Sequence, residues 1–537
     1  MEMRRLTVCN YGNQKYLRRL RRRRIASLGE GKVDALPQWT SKVEKRGLDP
    51  LGMQNSGVVL YQALLPGISN ITLRMRYYGF FCWLSDVYAR RGVTTDFEIW
   101  RQWVRRAEAL YALICADATG DGGVGGIDWA LRRLQLGEEV IDFAAAASTD
   151  KNITRYLIQN LGVFGAAYYT QMKEMGLFEE GPNGIQRVSG DAGLAAAGAF
   201  RASIGPEVEA LFTAAVDTAQ VDRATLAALH AMVPSAIPDP SDERAMYEDT
   251  LFAAGPQKHA TDKSRRASLS LILDVAARDG GKPTPESVRW ALFDPPEYAL
   301  APELEGQRLL WEAYQCQDLF QVAAAGLLAW AISIMAETDD GRTLAEIRGM
   351  VVDRLTDAEE ERAAMSWSEV RDGIDPAEFG WREAWTRLTG KRGSPEEKAW
   401  DAVSLIAALN RRVVVRDDLR RAITTALPIN GHARSIVTEL RWLDRNPDMA
   451  VANLIGDYVG QRIVLRHSWV AMQKLRRQRD YTFLFEVRDG RLICLNTYQP
   501  VATTPRLAPA IQFLEDVHLV TSDGLTARGR ALLGANQ

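Results

Sequence analysis

From Leu319 to Ala336 the chain runs 18 residues without a charge, LFQVAAAGLLAWAISIMA. Such a run either spans a bilayer or is enclosed on all sides by the rest of the chain. Here Gln321 and Ser333 interrupt it and many of its residues are small. Acidic residues flank both ends (Asp318, Glu337, Asp339, Asp340), and no Arg/Lys cluster marks a cytoplasmic side. The run is therefore expected to be the central helix of a soluble, cytoplasmic protein without a membrane partner. A chain of 537 residues, 25% charged and 47% hydrophobic, is long enough to surround it with roughly two to four domains. The five cysteines (Cys9, Cys82, Cys115, Cys316, Cys494) are scattered and form no CxxC pair, so they are expected to be buried thiols in a reducing compartment.

Apolar residues recur at three- and four-residue steps through most of the chain, as at Trp100, Trp103, Val104, Leu110, Leu113 and Ile114, and again at Val403, Ile406, Ala407 and Leu409. The fold class is mainly α. Proline and glycine clusters at 119–126, 234–240, 279–285, 294–296, 372–376 and 390–395 punctuate it. Two stretches share a pattern: 168–200 and 510–533 each run from an amphipathic helix through two short strands around a tight turn into a capped helix. The turns are Gly181-Pro-Asn-Gly184 and Ser522-Asp-Gly524. Both resemble the wing region of winged-helix domains. In the second, His518 stands where such motifs often carry glycine and is expected to end a helix. Ahead of it, Asp489-Gly490 between 482–487 and 491–495 is a strong hairpin signal.

The expected architecture is a multi-helix body with two winged-helix-like modules carrying short β-hairpins. Its divisions are residues 1–32, a basic arm or an over-extended start ahead of Val33; 33–149, an N-terminal helical domain; 150–205, a winged-helix-like module; 206–410, a central helical body; and 411–537, a basic C-terminal region with the second module.

The formal net charge of −2 hides a partition. Residues 1–24 hold nine Arg/Lys against Glu2, and 411–491 hold 16 Arg/Lys against nine Asp/Glu, so the intervening body is acidic. A basic stretch on an acidic body suits contact with a phosphate backbone on one side. Arg462, Arg466, Lys474 and Arg477, with His467, can gather on one side of a 462–478 helix, whose apolar face is expected at Leu465, Trp469, Met472 and Leu475. A second basic, aromatic segment is Arg74-Met-Arg76 followed by Tyr77, Phe80, Phe81 and Trp83. It reads either as a stacking and phosphate surface or as a buried aromatic helix whose arginines meet carboxylates.

Chemistry-bearing motifs are weak. Gly120-Asp-Gly122-Gly-Val-Gly125 matches GxGxxG but follows a helix-like stretch, and no GxxxxGK[ST] exists. The histidines (His230, His259, His432, His467, His518) stand alone, and neither a metal nor a cofactor is expected. Asp480, Glu486 and Arg488 make an imperfect nuclease set, with arginine where a lysine is needed. These features favour a chain without catalysis.

Leu64-Leu-Pro-Gly-Ile-Ser-Asn-Ile-Thr-Leu-Arg74 running on to Trp83 resembles the N-terminal signature of bacterial helical proteins encoded in anti-phage defence gene clusters, over residues 38–91. The resemblance implies a helical, cytoplasmic accessory role beside an ATPase, helicase or nuclease. The expected function is a non-catalytic DNA-binding or scaffolding subunit of such a complex, contacting double-stranded DNA through its phosphates. The alternatives are an effector nuclease with an unrecognised site and a protein–protein adaptor that does not bind DNA.

Overall fold

The uncharged run belongs to a helix longer than its own length, Pro302–Met335, in which every residue from Trp311 to Ile332 is buried. A computed structural model describes residues 49–92, 94–118, 121–148, 150, 153–253, 262–294, 300–427, 429 and 433–535. The basic arm, Cys9, Arg46, His259 and His432 lie outside the described residues. By length and composition Leu304–Met335 could cross a membrane, but 94% of its most apolar window is buried inside the protein. Its polar side chains are turned to internal partners. Glu312 takes Arg308, Arg412 and Arg416. Asp318 takes Arg289 and the Thr503 backbone N–H. Gln317 donates to the Met53 carbonyl and accepts from the Ile436 N–H, and Gln321 donates to the Val501 carbonyl. A core helix can carry such groups because each is paired where it is desolvated.

The described residues divide into two compact units, one holding 49–472 with 482–535 and the other 473–481. The boundaries expected at 149, 205 and 410 fall inside the first unit. Helices dominate it. Around the central helix, close neighbours are Gln54–Leu64, Asp262–Asp279 and Ala399–Val415. The aromatic segment forms the helix Arg76–Arg90, where Tyr77, Phe80, Phe81 and Trp83 are at most 2% exposed. Tyr77 packs against Phe81, Tyr111 and Tyr168 with ring centroids 4.8–5.4 Å apart. These rings are core: of the two readings of this segment, the buried aromatic helix holds and the stacking surface does not.

Among the described residues the strands form two-stranded antiparallel sheets. β1 (Val140–Asp142) pairs with β4 (Gln220–Asp222), and β2 (Phe178–Glu180) with β3 (Gln186–Val188). β5 (Phe485–Arg488) pairs with β6 (Arg491–Cys494), and β7 (Val520–Thr521) with β8 (Gly524–Leu525). The β5–β6 turn is Asp489-Gly490, with φ of 51° and 75°, the positive pair that a two-residue hairpin of this type requires.

The two similar stretches share their joints. In the first, the Leu177 N–H closes on the Met172 carbonyl, the Ser189 N–H on Leu177, and the Ser189 hydroxyl accepts from Gly193. In the second, Leu519 closes on Leu514, Thr526 on Leu519, and the Thr526 hydroxyl accepts from Gly529. A Cβ on Gly193 would lie 2.3 Å from the Leu177 carbonyl oxygen, and one on Gly529 would lie 2.4 Å from that of Leu519. Gly176 and His518 occupy the same helix end with φ of 75° and 59°. His518 does end its helix, in a left-handed conformation that glycine adopts at lower cost.

Candidate nucleic-acid interface

Arg74 and Arg76 point inward. The Arg74 guanidinium reaches Asp121 and Asp516, each at 3.0 Å, and donates to the Gly122 carbonyl at 3.1 Å. The glycine loop that failed as a phosphate cradle thus closes over an arginine. Burial opposes the Arg74 charge, but Asp516 and Asp121 outweigh it and hold the guanidinium protonated. Arg76 forms a two-pronged pair with Glu243 at 2.9 and 3.0 Å and also donates to the carbonyls of Ala231 and Val233. Both side chains of the pair are fully buried. Neither arginine can meet a phosphate without dismantling the core.

The 462–478 segment departs from expectation in its facing. A π-helical turn, Val459–Val464, precedes the α-helix Leu465–Gln478. The extra residue of a π turn rotates the helix beyond it by about 100°. The buried side is Ile463, Val464, Arg466, His467, Val470 and Ala471, whereas Leu465, Trp469 and Met472 keep 52%, 36% and 46% exposure. The face expected to be the apolar, inward one is therefore turned outward. Arg466 is only 8% exposed. His467 is 1% exposed and bridges two loops: its Nδ1 donates to the Pro50 carbonyl at 3.1 Å and its Nε2 accepts from the Leu484 N–H at 3.0 Å. That pattern sets a neutral ring, with no N–H left to offer a phosphate. Arg462 lies against Glu439, Nε to Oε2 at 3.0 Å.

Lys474 and Arg477 belong to the smaller unit. There Arg476, Arg477 and Arg479 are exposed and Lys474 is half-buried. Of the seven expected contacts, Arg477 is exposed and Lys474 half-buried, whereas Arg74, Arg76, Arg466 and His467 are buried and Arg462 is paired with the buried Glu439. The structure brings Arg462 and Arg466 together, but around Glu439 and in company with Arg434. Sequence reasoning missed both of these residues. No local signal marks them: Arg434 precedes an ordinary helix cap at Ser435, and Glu439 sits one turn into that helix.

The nuclease set does not assemble as a metal site. Glu486 pairs with Arg488 within the β5–β6 hairpin, and no group of three or more His, Cys, Asp or Glu residues suited to a metal occurs among the described residues. Cys82, Cys115 and Cys316 are buried, and burial raises their thiol pKa above the ordinary value. No protein family matches the chain, and neither a curated protein nor a solved structure matches it.

Proposed function

We propose that this chain is a non-catalytic scaffolding subunit of a bacterial anti-phage defence complex, and that its two helix–hairpin–helix modules are winged-helix-like units used for packing. The observation that carries the scaffolding half is the inward use of arginine. Arg74, Arg76 and Arg466, which a DNA-binding surface would present, serve the interior of the larger unit, and Arg74 ties the N-terminal signature segment to the helix that precedes β7. A body stapled this way is suited to holding partners at fixed positions. The defence setting rests on the resemblance of residues 38–91. The test is co-expression with the products of neighbouring genes and purification through this chain. Stoichiometric recovery of a helicase, nuclease or ATPase that survives gel filtration is expected; a chain that elutes alone beside every neighbour overturns the reading.

A second reading keeps duplex DNA as a partner. The exposed Arg476 and Arg477 at the end of the Leu465–Gln478 helix form no ion pair among the described residues. Fluorescence anisotropy with a random 30-base-pair duplex at low salt separates the two. Absence of binding leaves the scaffold, and salt-sensitive binding adds a phosphate contact.

A further inference from the structure

Two guanidiniums meet one buried carboxylate, and a third stands one helical turn away. Glu439, fully buried in the helix Ile436–Leu443, takes Arg462 through both oxygens, at 3.0 and 2.5 Å, and has the Arg434 Nε at 3.8 Å. Arg466 follows one turn after Arg462. Its Nε donates to the Leu51 carbonyl at 2.8 Å, its guanidinium carbon lies 4.3 Å over the Trp469 ring, and its Nη2 rests against Gly52. A Cβ at residue 52 would come within 2.8 Å of that nitrogen, and Gly52 has a φ of 69°, which favours glycine there. No carboxylate lies within ion-pair distance of Arg466 among the described residues, and its two terminal amino groups have no hydrogen-bond partner there.

The charges do not balance. Arg462 and Arg434 share the single contact anion Glu439, Arg466 has none in contact, and the nearby Asp49 offsets the group only in part, so positive charge is in excess in a poorly solvated place. Burial first, and then repulsion from Arg434, pulls the Arg466 guanidinium down to about 10, with Glu439 and Asp49 only partly offsetting this. Burial and Arg462 likewise lower Arg434. A protein holds such a surplus at low cost only if something anionic joins it. The Arg434 and Arg462 side chains keep 29% and 15% exposure, so solutes can reach them, and Arg466 beside them keeps 8%.

We propose that Arg434, Arg462 and Arg466 form a binding site for a phosphate group, specifically a dianionic one such as inorganic phosphate or a terminal phosphate monoester. A monoester carries about 1.5 to 2 negative charges at pH 7 and so offsets a group of three guanidiniums more fully than a carboxylate or a backbone phosphodiester, which supplies one. Its three terminal oxygens suit guanidinium forks arriving from different directions. This site goes beyond the scaffolding role and does not depend on it.

The test uses the full-length chain at constant ionic strength, with sodium phosphate replacing chloride and binding followed by calorimetry and thermal melting. Wild type is expected to bind inorganic phosphate and to melt higher in it. Arg434→Ala, at the open edge, is expected to lose at least tenfold in affinity and most of the shift. Arg434→Lys should retain part of both. Arg420→Ala, an exposed charge loss elsewhere, should match wild type. A duplex with 5′-phosphates is then compared with the same duplex bearing 5′-hydroxyls. Tighter binding of the phosphorylated ends, lost in Arg434→Ala, assigns the phosphate to nucleic-acid termini. Equal binding beside a positive phosphate titration assigns it to a small phosphorylated ligand. No response of wild type to phosphate, or an equal response from wild type and Arg434→Ala, overturns the site.

Discussion

Arg74 and Asp516 stand 442 positions apart in the chain and meet in a buried ion pair 3.0 Å long, with the second Asp516 oxygen accepting the Met75 backbone N–H at 2.8 Å. The carboxylate at the end of the helix Leu507–Asp516 thus closes the start of the aromatic helix Arg76–Arg90. Removing one partner of such a pair strands the other charge. Asp516→Ala is expected to cost about 3–5 kcal/mol in equilibrium urea unfolding. Asp516→Asn, which can still accept from Met75, should cost less. Equal stability of Asp516→Ala and wild type would show that the pair contributes nothing.

The two helix–hairpin–helix modules make a matched prediction. Alanine normally stabilises a helix over glycine by about 1 kcal/mol. At Gly193 and Gly529 the added Cβ would press on the carbonyls of Leu177 and Leu519. Gly193→Ala and Gly529→Ala should therefore each destabilise, by about 1–3 kcal/mol as for other overpacked sites. Differential scanning calorimetry of both variants checks this, and a stabilising effect at either position would break the equivalence of the two joints.

Glu108 gives a pH dependence. Its buried carboxylate accepts from the backbone N–H groups of Val163 and Phe164 at 3.0 and 2.6 Å, and burial pushes it up to about 8 despite those bonds and the nearby Arg105. In the unfolded chain a glutamate titrates near 4.3. Between those values the folded state keeps a proton that the unfolded state has released, so this group's contribution falls as pH rises from about 4.3 to about 8. Glu108→Gln should flatten the stability profile across that window while leaving it unchanged outside. Parallel profiles for the two proteins in urea melts from pH 5 to 9 would refute the assignment.

Any duplex binding should depend on Arg476 and Arg477 and not on Arg74 or Arg76. Arg476→Ala/Arg477→Ala is expected to weaken all sequences alike and to flatten the salt dependence by about two units, one per phosphate contact. Arg76→Ala should instead lower the melting temperature, because it leaves Glu243 buried without its cation. Anisotropy at several salt concentrations, beside thermal melts, separates the two effects; an unchanged slope in the folded double variant would place the contact elsewhere.

What the sequence determined by itself is what short-range physics controls. The 3.6-residue recurrence of apolar side chains marks a mainly helical chain, and the uncharged run at 319–336 marks its central helix. Asp489-Gly490 announces the β5–β6 turn through its tolerance of positive φ. Ser189 and Thr526 announce the caps that end both modules' hairpins. Only the tertiary structure decided which cations face water. Arg74, Arg76 and Arg466 look in sequence like any surface arginine, since a long side chain can lie in either setting and its partner is far along the chain. Asp516 and Glu243 could not be matched to them by spacing. One π turn at Val459–Val464 then carried Arg466 and His467 inward and Leu465 and Trp469 outward, because a single inserted residue rotates a helix face that periodicity alone assumes to be continuous.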